Sequence, residues 1–197
     1  MSSTPAKLNF KVYQGSTLAE VLRWESSVKS YALITGISNS APVTITATAH
    51  GAPDEWRVKL NNIVGMTELN SGDNYYQITQ VTANTFKIND INSVPYRAYV
   101  SGGVVEYNTP INLTGYTARM QIRATVPSTD IISTLTTENG KIVLNSAKGT
   151  ITLNIPATET AEFNFITAVY NLEVISSSAI VTTIASGSVG LVKEVTR

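Results

Sequence analysis

In the stretch YTARMQIR, residues 116–123, every second side chain is apolar: Tyr116, Ala118, Met120 and Ile122 alternate with Thr117, Arg119, Gln121 and Arg123. Successive side chains of an extended chain point to opposite faces, so this spelling fits a half-buried strand and not a helix. The same period marks KLNFKVY, with Leu8, Phe10 and Val12 inward, TITLNI, with Ile151, Leu153 and Ile155 inward, and YNLEVI around Tyr170, Leu172 and Val174. VTITAT, YYQIT, TFKIND, GKIVL, IVTTIAS and SVGLVKEV add β-branched and aromatic runs punctuated by Gly, Asn, Ser or Pro. TLAEVLRW has a helical spacing of Leu and Val, but Leu18, Glu20, Leu22 and Trp24 also alternate, and a strand is expected there. Helical signal is confined to PATETAEF, where Pro156 and Thr158 can open a turn and Glu159 and Glu162 suit its N-terminal end. The expected class is all-β, built as sandwiches or barrels.

The order of these runs suggests that the chain leaves one domain and later returns to it. After LRWES a Gly-, Asn- and Thr-rich segment begins near residue 32 and closes at SGGVVEY, and NTPINLTG then opens a second set of strands. The expected division is residues 1–31 with 108–197 as one discontinuous domain and 32–107 as an inserted one. A hairpin from residues 7–25 cannot bury an apolar face alone, so the flanks must pair with each other. An insertion at a loop costs little chain entropy when its ends lie close together.

Composition narrows function by exclusion. Among 197 residues, 14 basic and 14 acidic side chains cancel, and charged residues make up 14%, well below the quarter or so of an average soluble domain. No run of lysines and arginines is present to displace counterions, so nucleic-acid and anionic-membrane partners are not expected. Cysteine is absent, which removes disulfides, thiolate metal sites and thiol nucleophiles. MSSTPAKLNF does not read as a signal peptide, no run nears the roughly 18 apolar residues of a membrane helix, and membrane insertion is not expected.

The one histidine lies in TATAHGAPDEW, residues 46–56. Nothing beside His50 marks a nucleophile or an orienting partner, and its neighbours are those of a strand end and turn. Asp54 and Glu55 are adjacent and would face opposite ways on an extended chain, which suits solvated turn residues better than an acid and base pair. ELNSGDN and INDINS lack the full spacing of a calcium loop, and Gly102-Gly103 is followed by no phosphate-cradling pattern. No catalytic residue, metal ligand or cofactor is expected. Tyr75, Tyr76, Tyr96, Tyr99 and Tyr107 gather in the middle segment. They form the candidate interaction surface, whether for sugars or for partner proteins, against the plainer reading of strand packing.

Two resemblances sharpen this. The flanks, through Gln14-Gly15, Arg23-Trp24, the Leu-Thr-Gly-Tyr of residues 113–116 and the closing Val-Thr-Arg, resemble immunoglobulin-like proteins of tailed-bacteriophage tails and baseplates. The middle segment resembles a small β-barrel module of phage tail proteins that is named for a half-domain of ubiquitin-activating enzyme. Its marks are Thr-Ala-His-Gly at 48–51, Gly-Met-Thr-Glu-Leu-Asn at 65–70, Ala-Asn-Thr-Phe at 83–86 and Ser-Gly-Gly at 101–103. Where such modules have Ser-Asn-Gly-Asp after the histidine, this chain has Ala-Pro-Asp-Glu, which leaves the turn there open. The likeness implies an immunoglobulin-like β-sandwich with an inserted small β-barrel, and a non-enzymatic part of a virion tail or baseplate. It would be made in the host bacterial cytoplasm and would oligomerise with itself and with other virion proteins. The alternatives are a host-carbohydrate-binding module of a tail, a capsid decoration protein and a cell-wall hydrolase.

Overall fold

A computed structural model describes residues 4–195. It is all-β and divides into two compact units, Met1–Trp24 with Asn112–Arg197, and Glu25–Ile111. The first contains β1 (Ala6–Lys7), β2 (Phe10–Tyr13) and β3 (Leu18–Arg23). The second contains β4 (Glu25–Leu33), β5 (Gly36–Ile37), β6 (Val43–Thr46), β7 (Arg57–Val64), β8 (Tyr76–Gln77), β9 (Thr85–Ile88) and β10 (Ser101–Pro110). The chain then returns to the first unit for β11 (Thr117–Arg123), β12 (Ile131–Thr136), β13 (Ile142–Asn145), β14 (Thr150–Ile155), the single-turn α1 (Ala157–Thr160), β15 (Thr167–Ile175) and β16 (Val181–Val192).

The first unit is a sandwich of two sheets. One runs β13-β14-β3, and the other β16-β15-β11-β12 with β1 and β2 both parallel to β16. In immunoglobulin terms these are strands D-E-B facing G-F-C-C′, with α1 as the E–F turn and the whole second unit in the B–C connection. The alternating pattern dictates the burial. Ala118, Met120 and Ile122 of β11 are at most 1% exposed, as are Leu172 and Val174 of β15 and Ile151, Leu153 and Ile155 of β14. Each large aliphatic side chain so buried contributes about 1.5–3 kcal/mol. TLAEVLRW is a strand, and IVTTIAS with SVGLVKEV forms the single long β16.

KLNFKVY is not continuous. The Leu8 amide still donates to the Ser186 carbonyl at 3.1 Å, but pairing stops there, and the Leu8 carbonyl accepts from the Tyr170 hydroxyl at 2.9 Å. Asn9 Oδ1 meanwhile accepts from the Ser188 amide and hydroxyl, both at 3.0 Å. Gly187 lies directly across the ladder from Tyr170, and a Cβ on it would collide with the Leu8 carbonyl. The missing side chain is what lets the N-terminal ribbon cross here.

In the second unit the strands pair as β4-β10-β7-β8 and as β5-β6-β9. They enclose a core of Trp56, Phe86, Ile45, Leu60, Met66, Leu69 and Ile78 with their neighbours. The ring is not a closed barrel. Its ladder is interrupted where the chain bends between Leu33 and Gly36 and again after Gln77, where a single bridge joins Thr79 to Lys87. A closed ladder would need straight pairing through both corners, and β5 and β8 hold only two residues each. β4 opens at Glu25, ahead of the boundary expected at residue 32, and its first residue stands opposite Pro110 at the end of β10. The two ends of the inserted unit therefore meet in one ladder, the condition under which an insertion is cheap.

Two predictions follow from the first unit. Gly187→Ala forces the Leu8 carbonyl aside and lowers unfolding free energy by about 1–3 kcal/mol, measurable by urea titration. Burial also pushes the Tyr170 phenol up to about 12. A phenol that ionises near 10 when unfolded but later when folded stabilises fully below pH ~10, and that contribution is lost as pH rises toward about 12. The thermal midpoint should fall more steeply across this window in the wild type than in Tyr170→Phe.

Candidate functional site

The stretch around His50 shows what its residues do. β6 ends after Thr46, Ala49 adopts a positive φ of 50°, and the imidazole turns inward until only 3% of the residue is exposed. His50 Nδ1 accepts the Ala52 amide at 3.1 Å, and the His50 carbonyl accepts the Tyr107 hydroxyl at 2.9 Å. The ring meets Phe86 edge to face at 5.2 Å. With Nδ1 an acceptor, the buried Nε2 has no hydrogen-bond partner among the described residues. The Ala-Pro-Asp-Glu turn is settled by Glu55 at φ 63° and by the Trp56 amide donating to the Pro53 carbonyl at 3.3 Å. Asp54 and Glu55 are exposed there, while Trp56 is buried and donates its indole N–H to the Asn108 carbonyl at 2.9 Å.

The other marks of the module are equally local. Asn70 lays its amide along Ile63, accepting the backbone N–H at 2.9 Å and donating to the carbonyl at 3.1 Å, as a paired strand would. Asn84 accepts the Ala49 amide on Oδ1 at 3.0 Å and the Ala47 amide on its carbonyl at 2.9 Å, tying the β9 hairpin to the histidine corner. Gly103, at φ 98°, lies across from Asn62, which has a φ of 60° and drops out of the β7–β10 pairing without shifting its register, and a Cβ on Gly103 would press on Ile63 and Ile34. The positive φ of Asn62 turns Ile63 into the core after Val58 and Leu60.

The five tyrosines do not share one surface. Tyr107 belongs to the core, 4% exposed, and burial raises its pKa. Tyr99 bridges the Ile34 and Gly102 carbonyls through its hydroxyl, at 3.0 and 2.9 Å. Tyr76 and Tyr96 are half-buried against the core. Tyr75 alone of the five is exposed, at 40%, and the Arg57 guanidinium and Lys59 ammonium lie over its ring at 4.7 and 5.0 Å. Tyr75 immediately precedes β8 and Tyr76 opens it, and adjacent residues of extended chain face opposite ways.

Sequence reasoning passed over the rest of that face. Register places Tyr31 of β4, Glu106 of β10 and Lys59 of β7 in one row, with Leu33, Val104 and Asn61 in the next. Tyr31 is 63% and Leu33 71% exposed. Lys29 pairs with Glu106, whose hydrogen bond first and charge second hold the ammonium above its ordinary range. Glu25 grips Arg57 through both oxygens, at 2.9 and 2.7 Å, and that hydrogen bond is the main cause of the raised arginine pKa. The signal that finds Tyr31 is its place in ESSVKSYAL, a strand whose pattern is obscured because none of its residues is fully buried.

Among the described residues no group of three His, Cys, Asp or Glu side chains comes together, and no helix is long and apolar enough to cross a membrane. Residues 38–108 match the family model of the ubiquitin-activating enzyme E1 FCCH domain. The middle segment is thus similar to the module expected from its four marks. No curated protein matches the chain.

His50→Ala should still fold while losing about 2–3 kcal/mol, since it empties a packed site and strands the Ala52 amide. Denaturant midpoints measure the loss. Arg57→Ala should cost no more than about 1 kcal/mol, and the difference should shrink as salt screens the exposed pair.

Proposed function

We propose that this protein is a structural component of a tailed-bacteriophage virion, a tail or baseplate part that works by protein–protein assembly and not by catalysis. The observation that carries the reading is an immunoglobulin-like strand order whose B–C connection holds a compact, FCCH-like unit. The resemblance of both segments to tail proteins supplies the setting. Long strands with polar, sparsely charged faces suit modest contacts that gain strength by repetition around a symmetric ring. Partners are then other tail or baseplate proteins and further copies of this chain.

A second reading, recognition of host-surface carbohydrate, draws on the exposed Tyr31 and Tyr75 rings of one sheet face, since exposed rings are what sugars stack on. Electron microscopy of purified virions tests the first: density for this two-unit chain, repeated around the tail axis, is the expected result. Density on the capsid shell would transfer the role to decoration, and absence of the polypeptide from particles by mass spectrometry would remove the virion reading. A glycan array probed with the full chain, giving binding lost in Tyr75→Ala, would favour the second.

A further inference from the structure

The outer face of the β16-β15-β11-β12 sheet carries a concavity of about 380 Å³ whose lining includes Arg119, Gln121, Arg123, Val126, Asn171 and Glu173. Register explains the grouping, because Arg119 stands opposite Glu173 and Gln121 opposite Asn171 on neighbouring strands. The segment after β11 supplies the wall. Arg123 Nη1 donates to the Ser128 and Thr129 carbonyls at 2.6 and 3.0 Å, which draws that loop back over the sheet and leaves Val126, 84% exposed, on the rim. Arg123 Nη2 donates to Gln121 Oε1 at 2.8 Å.

These bonds decide which groups are left for a ligand. With its oxygen committed, Gln121 offers the donor end of its amide. Arg119 gives only Nε to Glu173 Oε2, at 2.7 Å, and among the described residues its two Nη nitrogens have no hydrogen-bond partner. The held Nε edge fixes the plane of the guanidinium and leaves the forked edge open, the geometry that takes a carboxylate through two parallel bonds. Two arginines and one glutamate give the lining an excess of one positive charge.

We propose that this groove binds a carboxylate-bearing peptide segment, an Asp- or Glu-containing loop of a neighbouring protein. Arg119 takes the carboxylate, the Gln121 and Asn171 amides bond the adjoining backbone, and Val126 covers its apolar flank. A saccharide fits less well. The aromatic residue at the groove, Tyr170, is 3% exposed and has its ring against Phe10 at 5.0 Å, so it offers no face for a sugar ring. The choice of a protein segment rests on the assembly reading above, but the test uses the isolated full chain and can fail without bearing on where the protein sits in a particle.

The experiment is an NMR titration of the isotope-labelled full chain with the capped tripeptide acetyl-Gly-Glu-Gly-amide, its Gln counterpart, and glucuronate. The expected result is saturable shifts at Arg119, Gln121 and Asn171 with the Glu peptide, weakened at least about tenfold with the Gln peptide or in Arg119→Gln, as loss of a charged hydrogen bond requires. Arg119→Lys, which keeps the charge without the fork, should lie between. Equal binding of the Glu and Gln peptides, shifts confined to other surfaces, or no saturable shift would overturn the proposal. Binding of glucuronate without the peptide would overturn the protein segment in favour of an acidic sugar. An Arg119→Gln spectrum matching the wild type away from the groove shows that folding is not the cause.

Discussion

The antiparallel ladder between β4 and β10 is the constraint on which the rest of the inserted unit rests. It runs from Leu33 opposite Val104 to Glu25 opposite Pro110, so the points where the chain enters and leaves lie a strand spacing apart, about 5 Å. A unit whose ends meet in this way can be lodged between two strands of a sandwich without stretching either. β10 also pairs with β7 on its other side. The same strand thereby fixes which side chains enter the core, Val105 and Tyr107, and which go to the outer face with Tyr31 and Lys59.

How legible each element was follows from how much of it is buried. β11, β14 and β15 bury one face completely and expose the other, so their hydrophobic spelling carries period and register together. β4 has no fully buried residue, and selection by a core leaves no alternation to read. Its first residues, Glu25 and Ser26, therefore read as the end of the preceding strand in LRWES. The break at Leu8 and Asn9 was hidden for another reason. Apolar residues continue on either side of it, and the interruption depends on Tyr170 and Gly187, which are distant in sequence.

The middle segment teaches the same lesson for chemistry. Its distinctive residues look like functional groups because histidine, asparagine and paired glycines often are. Here each satisfies or accommodates backbone: His50 the Ala52 amide, Asn70 both polar groups of Ile63, Asn84 the turn before the histidine, and Gly103 the crossing of Ile34 and Ile63. A small core with two interrupted corners has many main-chain groups without ladder partners, and buried ones must be met by side chains. Motif strength in such a module measures how much irregular backbone must be held and does not measure reactivity. The tyrosines divide on the same basis, with Tyr99 and Tyr107 spent on carbonyls and Tyr75 left to solvent.

Arg119 and Arg123 show why a binding residue can be invisible where a strand is plain. They share one strand and one face in YTARMQIR, four positions apart, and periodicity treats them alike. The return of the loop at 124–130 separates them: it places the Ser128 and Thr129 carbonyls on Arg123, which becomes part of the wall. Arg119, beyond the loop's reach, bonds only Glu173 among the described residues, through Nε, and keeps both Nη nitrogens available. The distinction lies in an irregular turn whose path no spacing rule encodes, and in a cross-strand partner some fifty residues downstream. Sheets make strand spelling readable, whereas the loops that cross them decide which polar residues remain available to bind.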